Sequence, residues 1–214
     1  MEGNPVSIAS KKQSPKSRLN EARRATAHRI SHPMVRLLAK TGVTPNVLTW
    51  LGLLLSFGAA VLIALRQPFI AGFVVLFAGL FDMLDGALAR FTDRITRFGA
   101  ILDSTLDRLS EVVILLGLLI FFVTDLSVPG ILIVGFTMPG ALLVSYLRAR
   151  TEAAGLPGEV GLFTRTERVI ILSLGLLLSG IDYALLISLG IIAVFSYLTI
   201  MQRLLHAWRQ TRRD

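Results

Sequence analysis

The sequence predicts an all-α integral membrane protein, with six transmembrane helices preceded by an N-terminal amphipathic interfacial helix. Three observations lead there. Hydrophobic residues make up 53% of the 214-residue chain, above the roughly 45–50% of soluble domains. The apolar residues gather into stretches near the ~20 residues that a helix needs to cross about 30 Å of hydrocarbon. Lysine and arginine collect at alternate ends of those stretches, as the positive-inside rule requires.

Taken in chain order, residues 1–17 are polar and basic and are expected to be disordered. With Lys11, Lys12 and Lys16 followed by Arg18, Arg23 and Arg24, and no short apolar core ending in small residues, this terminus does not resemble a removable signal peptide. Residues 18–40 alternate apolar Ile30, Met34, Leu37 and Leu38 with basic Arg23, Arg29, Arg36 and Lys40, the pattern of a helix lying in the membrane interface. The predicted six-span domain covers 41–206, with spans at about 45–66, 69–90, 100–124, 128–149, 166–181 and 184–204. Gln67-Pro68, Asp125 to Pro129, Gly155 to Gly158 and Gly180 to Asp182 supply the breaks. Residues 207–214 read as a basic cytoplasmic tail.

With the N-terminus inside, every lysine and arginine except Arg66 falls on cytoplasmic segments, and the outer loops hold Arg66, Asp125 and Asp182. Both termini are therefore expected on the cytoplasmic side of the cell membrane. The net charge of +8 is largely an orientation signal. It flanks apolar spans and lacks interleaved aromatics, which argues against nucleic-acid binding. The absence of cysteine excludes disulfides, thiolate metal sites and a cysteine nucleophile.

The chemistry concentrates in one hairpin. Asp82 and Asp85 stand at i and i+3, Asp103 and Asp107 at i and i+4, so each pair shares one helix face. Folding the chain back near residue 94 brings Asp82 level with Asp107 and Asp85 level with Asp103. Each acid in a membrane helix costs roughly 2.5–3.5 kcal/mol on insertion scales. Arg90 and Arg108 would neutralise two of them, and hard divalent cations suit the remainder, because carboxylate oxygens match Mg²⁺, Mn²⁺ or Ca²⁺ and no Cys or His stands nearby to favour zinc. Gly86 and Ala89 lie on the acid side and leave a shelf where a ligand can approach backbone. Gly99 serves that purpose or close helix packing. Competing readings are a buried salt-bridge cluster, disfavoured by the excess of acid over base, and an ion or proton path, which would need polar residues continuing to the outer face.

The run Asp82-x2-Asp85-Gly86-x2-Ala89-Arg90-x8-Gly99-x3-Asp103-x3-Asp107 resembles the complete signature of the CDP-alcohol phosphotransferases, and Thr44-Pro45-Asn46-Val47-Leu48-Thr49 resembles the segment that leads into it. The resemblance implies a six-helix fold, usually a homodimer, that displaces CMP from a CDP-linked lipid such as CDP-diacylglycerol with an acceptor hydroxyl. It makes Asp82, Asp85, Asp103 and Asp107 the carboxylates for two divalent ions, Mg²⁺ or Mn²⁺, and Asp107 also the general base. It assigns Asn46, Gly86, Ala89 and Arg90, with Asp82 and Asp85, to the CDP-lipid. An apolar groove accepts diacyl or archaeal ether tails alike.

A second polar cluster, Ser145 to Glu152 followed by Thr164 to Arg168, is similar to the acceptor region of phosphatidylinositol phosphate synthases and their archaeal counterparts. That similarity implies an inositol phosphate acceptor, with its phosphate bound by Ser145, Arg148, Arg165, Arg168 and Arg203, and Arg209 as a rival to Arg203. Arg148 stands where lysine is common, and Thr166 where proline is common. Arginine's planar fork suits a phosphate dianion, although each arginine alone also fits flanking charge. The alternatives are a related enzyme using glycerol phosphate, or a non-enzymatic membrane transporter.

Overall fold

The computed structural model describes residues 34–156, 160–161 and 163–212. The expected basic segment 1–17 and residues 18–33 of the expected interfacial helix lie outside the described residues. Residues 34–40 are helical, and Val35, only 2% exposed, packs with Leu48, Leu84 and Leu88.

Six further helices follow: α1 (Pro45–Ala64), α2 (Pro68–Phe91), α3 (Arg97–Thr124), α4 (Val128–Ala153), α5 (Arg165–Leu177) and α6 (Ala184–Thr211). Proline in the first turn starts α1, α2 and α4, where its missing N–H costs no intrahelical bond. Thr96 caps α3 by accepting from Gly99 N at 2.9 Å. At α5 the Glu167 carboxylate reaches back to the Thr164 N–H at 2.8 Å, half of a capping box.

The boundaries depart from the sequence expectation at three helix ends, the first being that of α4, which runs on to Ala153 instead of stopping near 149. The fifth helix stops at Leu177, with residues 178–183 forming turns that end on a left-handed Tyr183. The last helix runs to Thr211, through residues expected as tail. Among the described residues, four helices are long and apolar enough to cross a membrane, namely α1, α2, α4 and α6. α3 carries Asp103, Asp107, Arg108 and Glu111 between its start and its middle. α5 has 13 residues, about 20 Å at 1.5 Å per residue, short of the hydrocarbon thickness.

Helix α1 packs on both α2 and α3, α2 on α5, α3 on α4, and α6 on α4 and α5. The interior is filled by Ile63, Val75, Leu118, Leu176 and Leu189, all buried. α1 and α3 meet at Gly117, where a Cβ would lie 2.7 Å from the Ala60 backbone, so only glycine allows that approach. Outside this core, Trp50, Phe57, Phe73, Phe77, Phe136 and Leu198 are exposed. A chain in water rarely shows so continuous an apolar surface. With four candidate spans beneath it, this surface is that of a multi-pass membrane protein.

Candidate active site

The hairpin of α2 and α3 closes through residues 92–96, with Asp93 in the left-handed region (φ 53°). It brings one carboxylate oxygen from each of Asp82, Asp85 and Asp103 within 4.8 Å of one another. Like charges at that spacing repel unless a cation or proton intervenes. Asp85 Oδ2 and Asp103 Oδ1 are buried without a hydrogen-bond partner. Three clustered hard oxygen donors, two of them with an unsatisfied atom, fit a divalent cation of the Mg²⁺ or Mn²⁺ kind.

Asp107 is not one of that trio but lies beside Asp82, and the two share a cation. Arg165, the first residue of α5, reaches across with Nη1 2.6 Å from Asp82 Oδ2 and 2.7 Å from Asp107 Oδ1. Arg90 and Arg108 were the bases expected to neutralise these acids, and among the described residues neither forms an ion pair with them. Arg108 turns to the Ser104 carbonyl of its own helix. The neutralising cation comes from a helix 58 or more residues further along the chain, delivered by the packing of α5 on α2.

Beside the trio opens a cleft of about 260 Å³ lined by Asn46, Thr49, Asp85, Gly86, Ala89, Arg90, Arg94, Thr96, Gly99 and Asp103, among others. The structure thus gathers the expected lipid-nucleotide residues Asn46, Gly86, Ala89 and Arg90 around one opening. Thr49, Arg94 and Thr96 join them. Thr49 lies in the lead-in segment and Arg94 at the point where the hairpin folds back, and sequence reasoning assigns neither a role. A Cβ on Gly99 would lie 2.8 Å from Thr96 Oγ1, so this glycine makes room for the cap of its own helix.

The arginines expected to hold the acceptor phosphate are distributed differently. Arg168 is 2% exposed and holds Glu111 in a two-point ion pair, Nε to Oε1 at 2.5 Å and Nη2 to Oε2 at 2.8 Å. Its Nη1 is buried without a partner. Arg203 donates from Nε to the Val160 carbonyl at 2.7 Å and from Nη1 to the Val144 carbonyl. Arg148 pairs with Glu152 one turn on, at 2.9 Å, Ser145 is half-buried and Arg209 is exposed. Arg165 therefore sits with the carboxylates, while Arg168 and Arg203 brace the interior between α3, α4, α5 and α6. Sequence reasoning missed Glu111, whose only signal was an acid in the middle of an apolar span.

The chain resembles known proteins throughout this region. The family model described as CDP-alcohol phosphatidyltransferase matches residues 42–207. The phosphatidylinositol phosphate synthase of Mycobacterium tuberculosis is 38% identical over 199 residues, 90% of this chain and 92% of the relative. The archaetidylinositol phosphate synthase of Pyrococcus horikoshii is 34% identical over 183 residues, 84% of this chain and 93% of the relative. A crystal structure of the M. tuberculosis synthase with CDP-DAG bound matches with a TM-score of 0.76, covering 84% of this chain and 94% of that one. A second crystal structure, in complex with manganese and citrate, matches with a TM-score of 0.74 at 37% identity, covering 83% and 88%.

Proposed function

Because the chain belongs to the CDP-alcohol phosphatidyltransferase family, we propose that it transfers a phosphatidyl group, or its ether-lipid counterpart, from a CDP-linked lipid to inositol phosphate and releases CMP. The observation that carries this reading is the trio Asp82, Asp85 and Asp103, drawn within 4.8 Å at the edge of a cleft lined by the remaining signature residues.

Asp82, Asp85 and Asp103, with Asp107 adjacent, would hold two Mg²⁺ or Mn²⁺ ions. Bound there, the ions neutralise the pyrophosphate and the departing CMP. Asn46, Gly86, Ala89 and Arg90 bind the CDP end, where the glycine and alanine leave the helix face open and Arg90 offers charge-assisted donors. The acceptor hydroxyl oxygen attacks the lipid-side phosphorus, the bond from that phosphorus to the CMP oxygen breaks, and the hydroxyl proton passes to a carboxylate, for which Asp107 is the candidate. Arg148, Arg165, Arg168 and Arg203, with Ser145, form the acceptor-phosphate group. The chemistry of Arg168 supports this, since two of its nitrogens are fixed by Glu111 and Nη1 is left to donate.

The reading includes a six-span arrangement in the cell membrane, with the site and both termini on the cytoplasmic side, and a homodimer. α3 and α5 complete the six as members of the packed bundle, α3 against α1 and α4 and α5 against α2 and α6. Purified protein supplied with CDP-diacylglycerol and Mn²⁺ tests the substrate assignment through CMP release. Inositol phosphate should support release and unphosphorylated inositol should not. Faster turnover with glycerol 3-phosphate than with inositol phosphate overturns the acceptor and keeps the family chemistry.

A further inference from the structure

Arg165 occupies an unusual place for a cation. It is the first residue of α5, at the end of the helix where the backbone dipole disfavours positive charge. Two carboxylates hold it there, Asp82 at 2.6 Å and Asp107 at 2.7 Å. Asp82 is also one of the three acids whose oxygens converge within 4.8 Å. One carboxylate thus belongs to two cation sites. The pair is not a closed structural bridge either, because Arg165 Nε is buried without a partner, whereas a finished buried arginine has all its donors met.

We propose that Arg165 and a divalent cation are competing partners of Asp82, so that binding of the ion loosens Arg165 and Arg165 in turn sets how tightly the ion is held. The inference rests on the reading of the acidic trio as a metal site. It adds that the bundle carries an internal counter-cation tuning that site, which keeps the acids compensated when ion and substrate have both departed. Linkage makes the effect reciprocal, since whatever Arg165 gains from Asp82 is subtracted from the ion's affinity. It also gives Arg165 a role other than the one expected for it from the acceptor region.

The experiment is a Mn²⁺ titration of the purified, metal-stripped protein in detergent, with free Mn²⁺ read by its paramagnetic resonance signal and no substrate present. Arg165→Gln should lower the Kd for Mn²⁺ by about tenfold, within the usual range of coupling between linked sites. Arg165→Lys, which keeps the charge, should stay near the wild-type value. Asp85→Asn should remove most of the binding, which shows that the signal reports on the carboxylates. Thermal unfolding supplies an independent reading, in which Arg165→Gln is less stable than wild type without Mn²⁺ and gains more stability from saturating Mn²⁺. Equal or weaker Mn²⁺ binding by Arg165→Gln overturns the proposal, as does a variant that stays unfolded at saturating Mn²⁺, because Arg165 would then be a structural strut. If wild type binds no Mn²⁺, the metal reading fails and takes this proposal with it.

Discussion

Asp103 and Asp85 each place an unsatisfied buried oxygen next to the other carboxylates, and at this scale the chemistry is most exposed to single changes. Asp103→Asn or Asp85→Asn keeps the size of the side chain and removes one anionic donor. CMP release should fall at least a hundredfold, the loss expected when a main electrostatic contribution to the transition state goes. The check is kcat/KM measured at saturating Mn²⁺. Glu111 and Arg168 invite a different test. Removing one partner of a buried pair costs about 3–5 kcal/mol, while replacing both with apolar residues of similar volume is often neutral. Glu111→Ala should therefore be strongly destabilised, and the double variant Glu111→Leu with Arg168→Met should recover most of the loss in thermal unfolding. The acidic hairpin was legible in the sequence because its residues lie a few positions apart on helix faces joined by a short turn. The partners of Arg165 and Arg168 were not, because both contacts join residues 57 or more positions apart, and helix packing alone decides that pairing.

The start of α5 carries both arginines that reach towards α2 and α3. Its geometry is fixed by the Thr164 and Glu167 cap. A lost cap costs about 0.5–2 kcal/mol, and here the fraying turn holds Arg165 and Arg168. Glu167→Ala should raise the KM for the acceptor several-fold while leaving the KM for CDP-lipid nearly unchanged, as a steady-state titration of each substrate would reveal. At the opposite end of the bundle, Arg66 pairs with Asp125 at 2.5 Å and stacks over Phe121, tying the α1–α2 turn to the α3–α4 turn. Most helix starts were legible, since Pro45, Pro68 and Pro129 signal them directly. The early stop of α5 was not, because Leu178 and Ile181 continue the apolar pattern past the last helical residue. α2 and α4 qualify although they carry charge, because their acids and arginines lie towards one end, whereas Asp107, Arg108 and Glu111 reach into the apolar run of α3 and α5 is too short. Hydropathy is thus less informative for α3 than for α2, although each bears two of the four signature acids.

For the molecule as a whole, the distribution of basic residues predicts sidedness, and the cysteine-free chain makes it measurable. Single cysteines at Ser127 and Thr92 stand on opposite ends of the bundle, one capping α4 and the other ending α2. An impermeant thiol reagent on intact cells should label the Ser127→Cys protein and spare Thr92→Cys. The reverse pattern would invert the topology. Arg66, the lone base expected on the outer side, is already matched by Asp125, so it does little to oppose this orientation.

The contact of Gly117 with Ala60 bears on the ion the enzyme prefers. Asp103 and Asp107 ride on a stiff rod whose distance from α1 is fixed about 21 and 15 Å away, at 1.5 Å per residue, by a contact with no slack. A methyl group added there meets backbone, so the rod must tilt instead of the methyl bending aside. A tilt of a few tenths of an ångström matters little to apolar packing but exceeds the tolerance of about 0.2 Å on metal–oxygen distances. Mg²⁺ demands near-ideal octahedral geometry, and softer demands by Mn²⁺ would make it the more forgiving ion. Gly117→Ala should therefore lower Mg²⁺-supported turnover more than Mn²⁺-supported turnover, a ratio measurable in one preparation. The far half of the bundle would act as a calibration of the catalytic geometry, and sequence drift there would surface first as a change in ionic diet.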